Sequence, residues 1–106
     1  MTYDRLRQIQ ECQFEACRAE MEAKNPDYSG MDVSGDALGS FKQVAERVGM
    51  TPLRTWCAYF SKHALAVERF ARTGQVSSEK IAGRITDAIN YLIFLRALAE
   101  EQDMGL

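Results

Sequence analysis

Lys80, Arg84, Asp87 and Tyr91 are spaced four, three and four residues apart, so a helix would carry them on one face with Asn90 beside them. Their neighbours are apolar, and an ion held among apolar side chains is costly unless it is paired or meets a polar ligand. Two readings follow: Arg84 and Asp87 form an ion pair that fixes helix register, or the group opens a polar notch for a ligand. A second lane precedes it. Tyr59, Lys62, Ala66 and Arg69 lie on one side of an apolar stripe, which puts two cations and an aromatic ring on a common face. Such cations neutralise phosphate oxygens, while Tyr28, Tyr59 or Tyr91 can stack on a base or sugar. If the lanes face each other, a nucleotide site results; if they do not, Lys62 and Arg69 form a solvated basic edge. His63, beside Tyr59 and Phe60, reads as a hydrogen-bonded core residue rather than a ligand.

The elements that would position these residues are helices. Thr2 to Lys24 is free of Gly and Pro and rich in helix formers, and Asn25-Pro26 is expected to end that helix. Its loosely spaced apolar residues suggest an outer helix that can also meet a second subunit. Asn25 to Gly35 reads as a structured loop, long enough to suspect function. Asp36 can cap a helix over about 36–48 that carries Leu38, Phe41, Val44, Ala45 and Val48 and ends at Gly49. Thr51-Pro52 marks the start of a third helix over 52–73, stopped by Gly74, with Leu53, Trp56, Cys57, Phe60, Ala64, Val67 and Phe70 as its stripe. Ser77 or Ser78 caps the last, about 78–102. Its stripe is Ile81, Ile85, Ala88, Leu92, Leu95 and Ala99, and Ile89, Ile93 and Phe94 widen this until the helix reads as the central one. The pattern predicts a single all-α domain over 1–106, a four-helix bundle.

Composition narrows the partners. The net charge of −2 offers no field for a polyanion, which disfavours duplex nucleic acid. The longest apolar run falls far short of the ~20 residues of a membrane helix, and no secretory leader is evident. Cys12, Cys17 and Cys57 form no C-x-x-C pair and read as buried or half-buried small hydrophobes in a reducing cytoplasm.

Lys24-Asn25-Pro26-Asp27-Tyr28-Ser29-Gly30, then Phe41, Lys62-His63, and Ser78-Glu79-Lys80-Ile81-Ala82-Gly83-Arg84-Ile85-Thr86-Asp87-Ala88-Ile89-Asn90-Tyr91 resemble small phage and prophage proteins related to the all-α, MazG-like nucleotide pyrophosphohydrolases. The resemblance spans about residues 20 to 100. It implies a MazG-like bundle, nucleoside triphosphates as ligands with Lys24 and Asp27 joining the binding residues, Mg²⁺ as cofactor, homo-oligomeric assembly, and cleavage to monophosphate and pyrophosphate. The family holds Mg²⁺ with Glu-x-x-Glu on an early helix and Glu-x-x-Asp on a later one, since a hard cation takes several oxygens. This chain has neither motif intact; Glu15, Glu79 and Asp87 are what it offers the metal, and Gly83-Arg84 stands where related proteins often carry Asp-Thr.

Four functions are compatible with these residues. The first is a Mg²⁺-dependent pyrophosphohydrolase using Glu15, Glu79 and Asp87 on the metal and Lys62 and Arg84 on phosphates. The second is a binding protein in which Arg84 replaces the metal and a nucleotide signal of the host is sequestered uncut, a counter-defence role. A helix-turn-helix around Gly49 and Thr51-Pro52 is the third, opposed by the aromatic content of its second helix and the acidic balance. The fourth is a helical interaction module without a small ligand.

Overall fold

Thr51 and Pro52 open a helix as their chemistry predicts: the Thr51 hydroxyl accepts a hydrogen bond from the Arg54 backbone N–H, and Pro52 occupies the first position. The computed structural model describes residues 1–28, 35–75 and 79–105 and forms an all-α four-helix bundle: α1 (Tyr3–Tyr28), α2 (Gly39–Val48), α3 (Pro52–Thr73) and α4 (Ile81–Glu101). Gly49 and Gly74 end α2 and α3 in the left-handed conformation, with φ of 71° and 69°. No helix among the described residues is long and apolar enough to cross a membrane.

Three boundaries differ from expectation. Helix α1 continues through Asn25-Pro26 to Tyr28. Proline removes one backbone donor, and so near a helix end that loss interrupts a single intrahelical bond without breaking the turn. Asp36 does not cap α2 itself; its carboxylate accepts from the Leu38 N–H at 2.9 Å and shapes the turn before the helix. Helix α4 begins at Ile81 with Lys80 preceding it, and Ser77 and Ser78 lie outside the described residues.

The helices pack in a ring: α1 touches α2 and α4, and α3 touches α2 and α4, with α3 against α4 the most extensive pairing. Leu38, Phe41, Trp56, Phe94 and Leu98 form the buried core, flanked by Met21, Leu53, Phe60 and Tyr91. Phe41 is its hub, meeting Phe94, Tyr91 and Tyr59 at ring separations of 5.6, 5.9 and 6.0 Å. The Trp56 indole stacks on Phe60 at 4.8 Å and donates to the Tyr91 carbonyl at 2.6 Å, tying α3 to α4.

Helix α4 does not bury the stripe its sequence suggests. Thr86, Asn90, Phe94 and Leu98 face inward, whereas Ile85, Leu92 and Ile93 are exposed. Where a helix is apolar nearly all round, periodicity cannot select a face, and here the two polar residues are drawn inward by partners on α1. Gln13 donates to the Thr86 hydroxyl at 2.8 Å, and the Asn90 amide nitrogen donates to the Cys17 carbonyl at 3.0 Å. Of the cysteines only Cys17 is buried; Cys12 and Cys57 are exposed, the latter because α3 turns Thr55 and Trp56 toward the core instead.

Candidate functional site

Packing of α3 on α4 brings only part of each lane together: the exposed Lys62 and Arg69 with Arg84, but not Tyr59, Lys80, Asp87 or Tyr91. Lys62 and Arg69, one helical repeat of seven apart on α3, line a cavity of ≈ 280 Å³ whose opposite wall is Arg84 of α4. Ala66 and Ile81 supply its small and apolar surfaces, and Glu79 is the one carboxylate on its wall among the described residues. Three cations against one anion give the cavity a positive balance. Arg84 is mostly covered and lies 3.5 Å from the Glu79 carboxylate.

Asp87 belongs to a different surface. Its side chain is 14% exposed and lies 3.8 Å from the Lys24 ammonium, which also meets Glu20 at 2.8 Å. The proposed Arg84–Asp87 pair is therefore not formed among the described residues; each partner is engaged by another group. Lys24, Asp87 and Glu79 line a groove of ≈ 630 Å³ between α1 and the first turns of α4, together with Glu20 and Gly83.

The remaining predicted residues are dispersed. Asp27 is exposed at the end of α1 and lines neither cavity, and the Tyr28 side chain lies outside the described residues. Tyr91 packs on the core against Phe41, whereas Tyr59 touches Phe41 edge-on and is exposed; neither lines the cation cavity. Asn90 is 1% exposed and joins α4 to α1, with its amide oxygen buried and unpartnered among the described residues. Lys80 is exposed at the start of α4.

His63 corrects a sequence expectation. Its ring packs on Tyr91 at 4.5 Å, but its Nδ1 is buried without a hydrogen-bond partner among the described residues. Burial lowers its pKa from the ordinary 6.5; Asp87 opposes this, while Lys62, Arg84 and Lys24 reinforce it. The imidazole thus senses both polar surfaces from the core side.

Each residue expected to hold Mg²⁺ meets a basic side chain. Glu15 is exposed and pairs with Arg18 at 2.7 Å, Glu79 faces Arg84, and Asp87 faces Lys24. Among the described residues no three His, Cys, Asp or Glu side chains converge as a divalent-cation site requires.

The sequence reading overlooked the Gln13–Thr86 and Cys17–Asn90 seam, although Gln13 with Cys17 and Thr86 with Asn90 each stand four residues apart. It also overlooked Lys42, whose ammonium joins Asp36 at 2.6 Å and Glu101 at 2.7 Å. No family profile, curated protein or solved structure matches this chain.

Proposed function

We propose that this chain binds the phosphate groups of a nucleotide in the α3–α4 cavity and does so without a metal. The supporting observation is the convergence of Lys62, Arg69 and Arg84 on one small cavity that, among the described residues, holds a single carboxylate. Guanidinium groups grip phosphate oxygens in a bidentate fork and ammonium adds a mobile charge, so the three together can neutralise a polyphosphate as Mg²⁺ would. A protein of this design retains its ligand uncut, which suits sequestration of a nucleotide, including a phage protein's removal of a host signal. Duplex DNA is a poorer partner, because Trp56 and Phe60 of α3 are committed to the core.

Titration with nucleotides in EDTA, followed by product analysis with Mg²⁺ added, tests the reading. Binding in EDTA with no turnover is expected, and exchange of Lys62 or Arg84 for Met should weaken it roughly tenfold or more. Metal-dependent release of pyrophosphate would overturn the metal-free reading in favour of hydrolysis.

A second copy of the chain is the further partner we infer. Leu6 and Phe14, 52% and 55% exposed, flank a groove of ≈ 590 Å³ that also takes in Ile9, Ile85 and Ile89. Large apolar residues beside an apolar groove let one surface serve as both ridge and slot, which a two-fold interface requires. Sedimentation should show a dimer that Phe14→Glu dissociates; a monomer at every concentration overturns this.

A further inference from the structure

His63 stands between the two polar surfaces and lines neither. On α3 it follows Lys62 and precedes Ala66 by one turn, and both of those residues are on the wall of the cation cavity. On α4 its ring partner is Tyr91, 4.5 Å away, with Asp87 one turn earlier and Arg84 one turn before that. Lys24 of α1 reaches the same place, 3.8 Å from the Asp87 carboxylate. Among the described residues the charges that act on the imidazole are thus Lys62 from α3, Arg84 and Asp87 from α4, and Lys24 from α1.

This setting opposes a charged ring in three ways. Burial removes water from it. Three cations outweigh the single carboxylate. An imidazolium also donates from both nitrogens, and Nδ1 is buried with no acceptor among the described residues. In the free protein these effects hold the ring neutral, with its pKa below the ordinary 6.5.

An anion in the cavity alters one of the three. It offsets the charges of Lys62 and Arg84 and leaves burial, Lys24 and Asp87 as they were. The protonated ring then costs less, and by reciprocity a protonated ring holds the anion more tightly. Resting on the phosphate reading above, we propose that His63 makes anion capture in the α3–α4 cavity proton-linked, so that the protein retains a phosphate group more firmly in mild acid and releases it as pH rises. The half-buried ring takes its proton from solvent as the anion binds and returns it when the anion leaves. Well above pH 6.5 the ring is neutral with or without the anion, and its contribution to affinity is constant. Below that value the anion-bound form protonates first, and affinity rises until both forms are charged.

Calorimetric titration of the full chain with inorganic pyrophosphate, from about pH 8 to about pH 5, tests the linkage against His63→Phe and His63→Gln. The first variant keeps a ring on Tyr91, the second keeps a polar group, and neither titrates. Pyrophosphate itself gains a proton over this range, so the informative quantity is the ratio of native to variant affinity at each pH. That ratio should be constant near pH 8 and rise about three- to tenfold toward pH 5, the change produced when the anion raises the ring's pKa by about half a unit to one unit. Circular dichroism at each pH identifies the folded variants, and either one serves as the reference. A ratio that stays constant, or falls, toward acid overturns the linkage and leaves the phosphate reading standing. Failure of pyrophosphate to bind the native chain at any pH overturns the phosphate reading and this inference with it.

Discussion

Arg84 lies 3.5 Å from Glu79 and makes no ion pair with Asp87, one turn further along the same helix. Glu79 is more than half exposed, so it screens the guanidinium without enclosing it, and an incoming anion can take its place. The pair is a competitor for the ligand more than a structural brace, since exposed ion pairs contribute only about 0–1 kcal/mol.

Arg84→Gln should therefore weaken pyrophosphate binding roughly ten- to hundredfold, the equivalent of one charge-assisted hydrogen bond of about 1.5–3 kcal/mol. Glu79→Gln should tighten the same binding by up to about fivefold, because the competing carboxylate is gone. Calorimetry on both variants reads these changes directly. Weaker binding by Glu79→Gln would show that the carboxylate assists the anion and that the competition does not exist.

The single histidine offers a probe of the site from within. Burial, with help from Lys62, Arg84 and Lys24 and against Asp87, places the folded pKa of His63 below 6.5. Its contribution to stability is full above the unfolded value of 6.5 and is lost as pH falls from there through the folded value. A phosphate on Lys62 and Arg84 offsets two of the charges that hold the imidazole neutral. Proton NMR of the ring should show a titration below pH 6.5 in the free protein and a shift to higher pH with pyrophosphate. An unchanged midpoint would place the anion elsewhere.

Asn90 separates structure from function. Its amide nitrogen satisfies the Cys17 carbonyl within the α1–α4 seam, at 1% exposure and away from both polar surfaces. Asn90→Ala removes that bond, while the Cys17 carbonyl keeps its place in the hydrogen bonding of α1, a loss of about 0.5–1.5 kcal/mol. Urea unfolding should record that decrease while pyrophosphate affinity stays the same. A large loss of affinity at unchanged stability would return Asn90 to the ligand.

What the sequence disclosed, and what it withheld, follow from the range of each interaction. Thr51-Pro52, Gly49 and Gly74 act on their own turns, so the boundaries they set are read locally and stand in the structure. The lanes of Lys62 with Arg69 and of Arg84 are each helical arithmetic, yet their meeting depends on how α3 packs against α4, which no local pattern encodes. Asn90 and Tyr91 illustrate the same limit. Both stand on the side of α4 that carries Arg84 and Asp87, but Cys17 claims one and Phe41 the other. Face selection in α4 failed because its apolar residues encircle the helix, and the choice was made by polar partners more than sixty residues distant in the chain.

Lys42 fastens the start of α2 to the end of α4 through Asp36 and Glu101. The Lys42 hydrogen bond, then the Leu38 N–H, lower the Asp36 pKa from 3.8, and bonds from Asp36 and Glu101 raise the Lys42 pKa from 10.5. Asp36 thus stabilises the fold fully above pH 3.8 and loses its effect as pH falls through its lowered folded value. Lys42 contributes fully below 10.5 and loses its effect as pH rises through its raised value. All three groups are partly solvated, so Lys42→Met should cost about 1 kcal/mol at neutral pH and less in concentrated salt. Thermal unfolding across pH should show parent and variant differing most between these limits and converging outside them. A difference that persists undiminished well below pH 3.8 would mean that the Lys42 methylenes, and not its charge, hold α2 to α4.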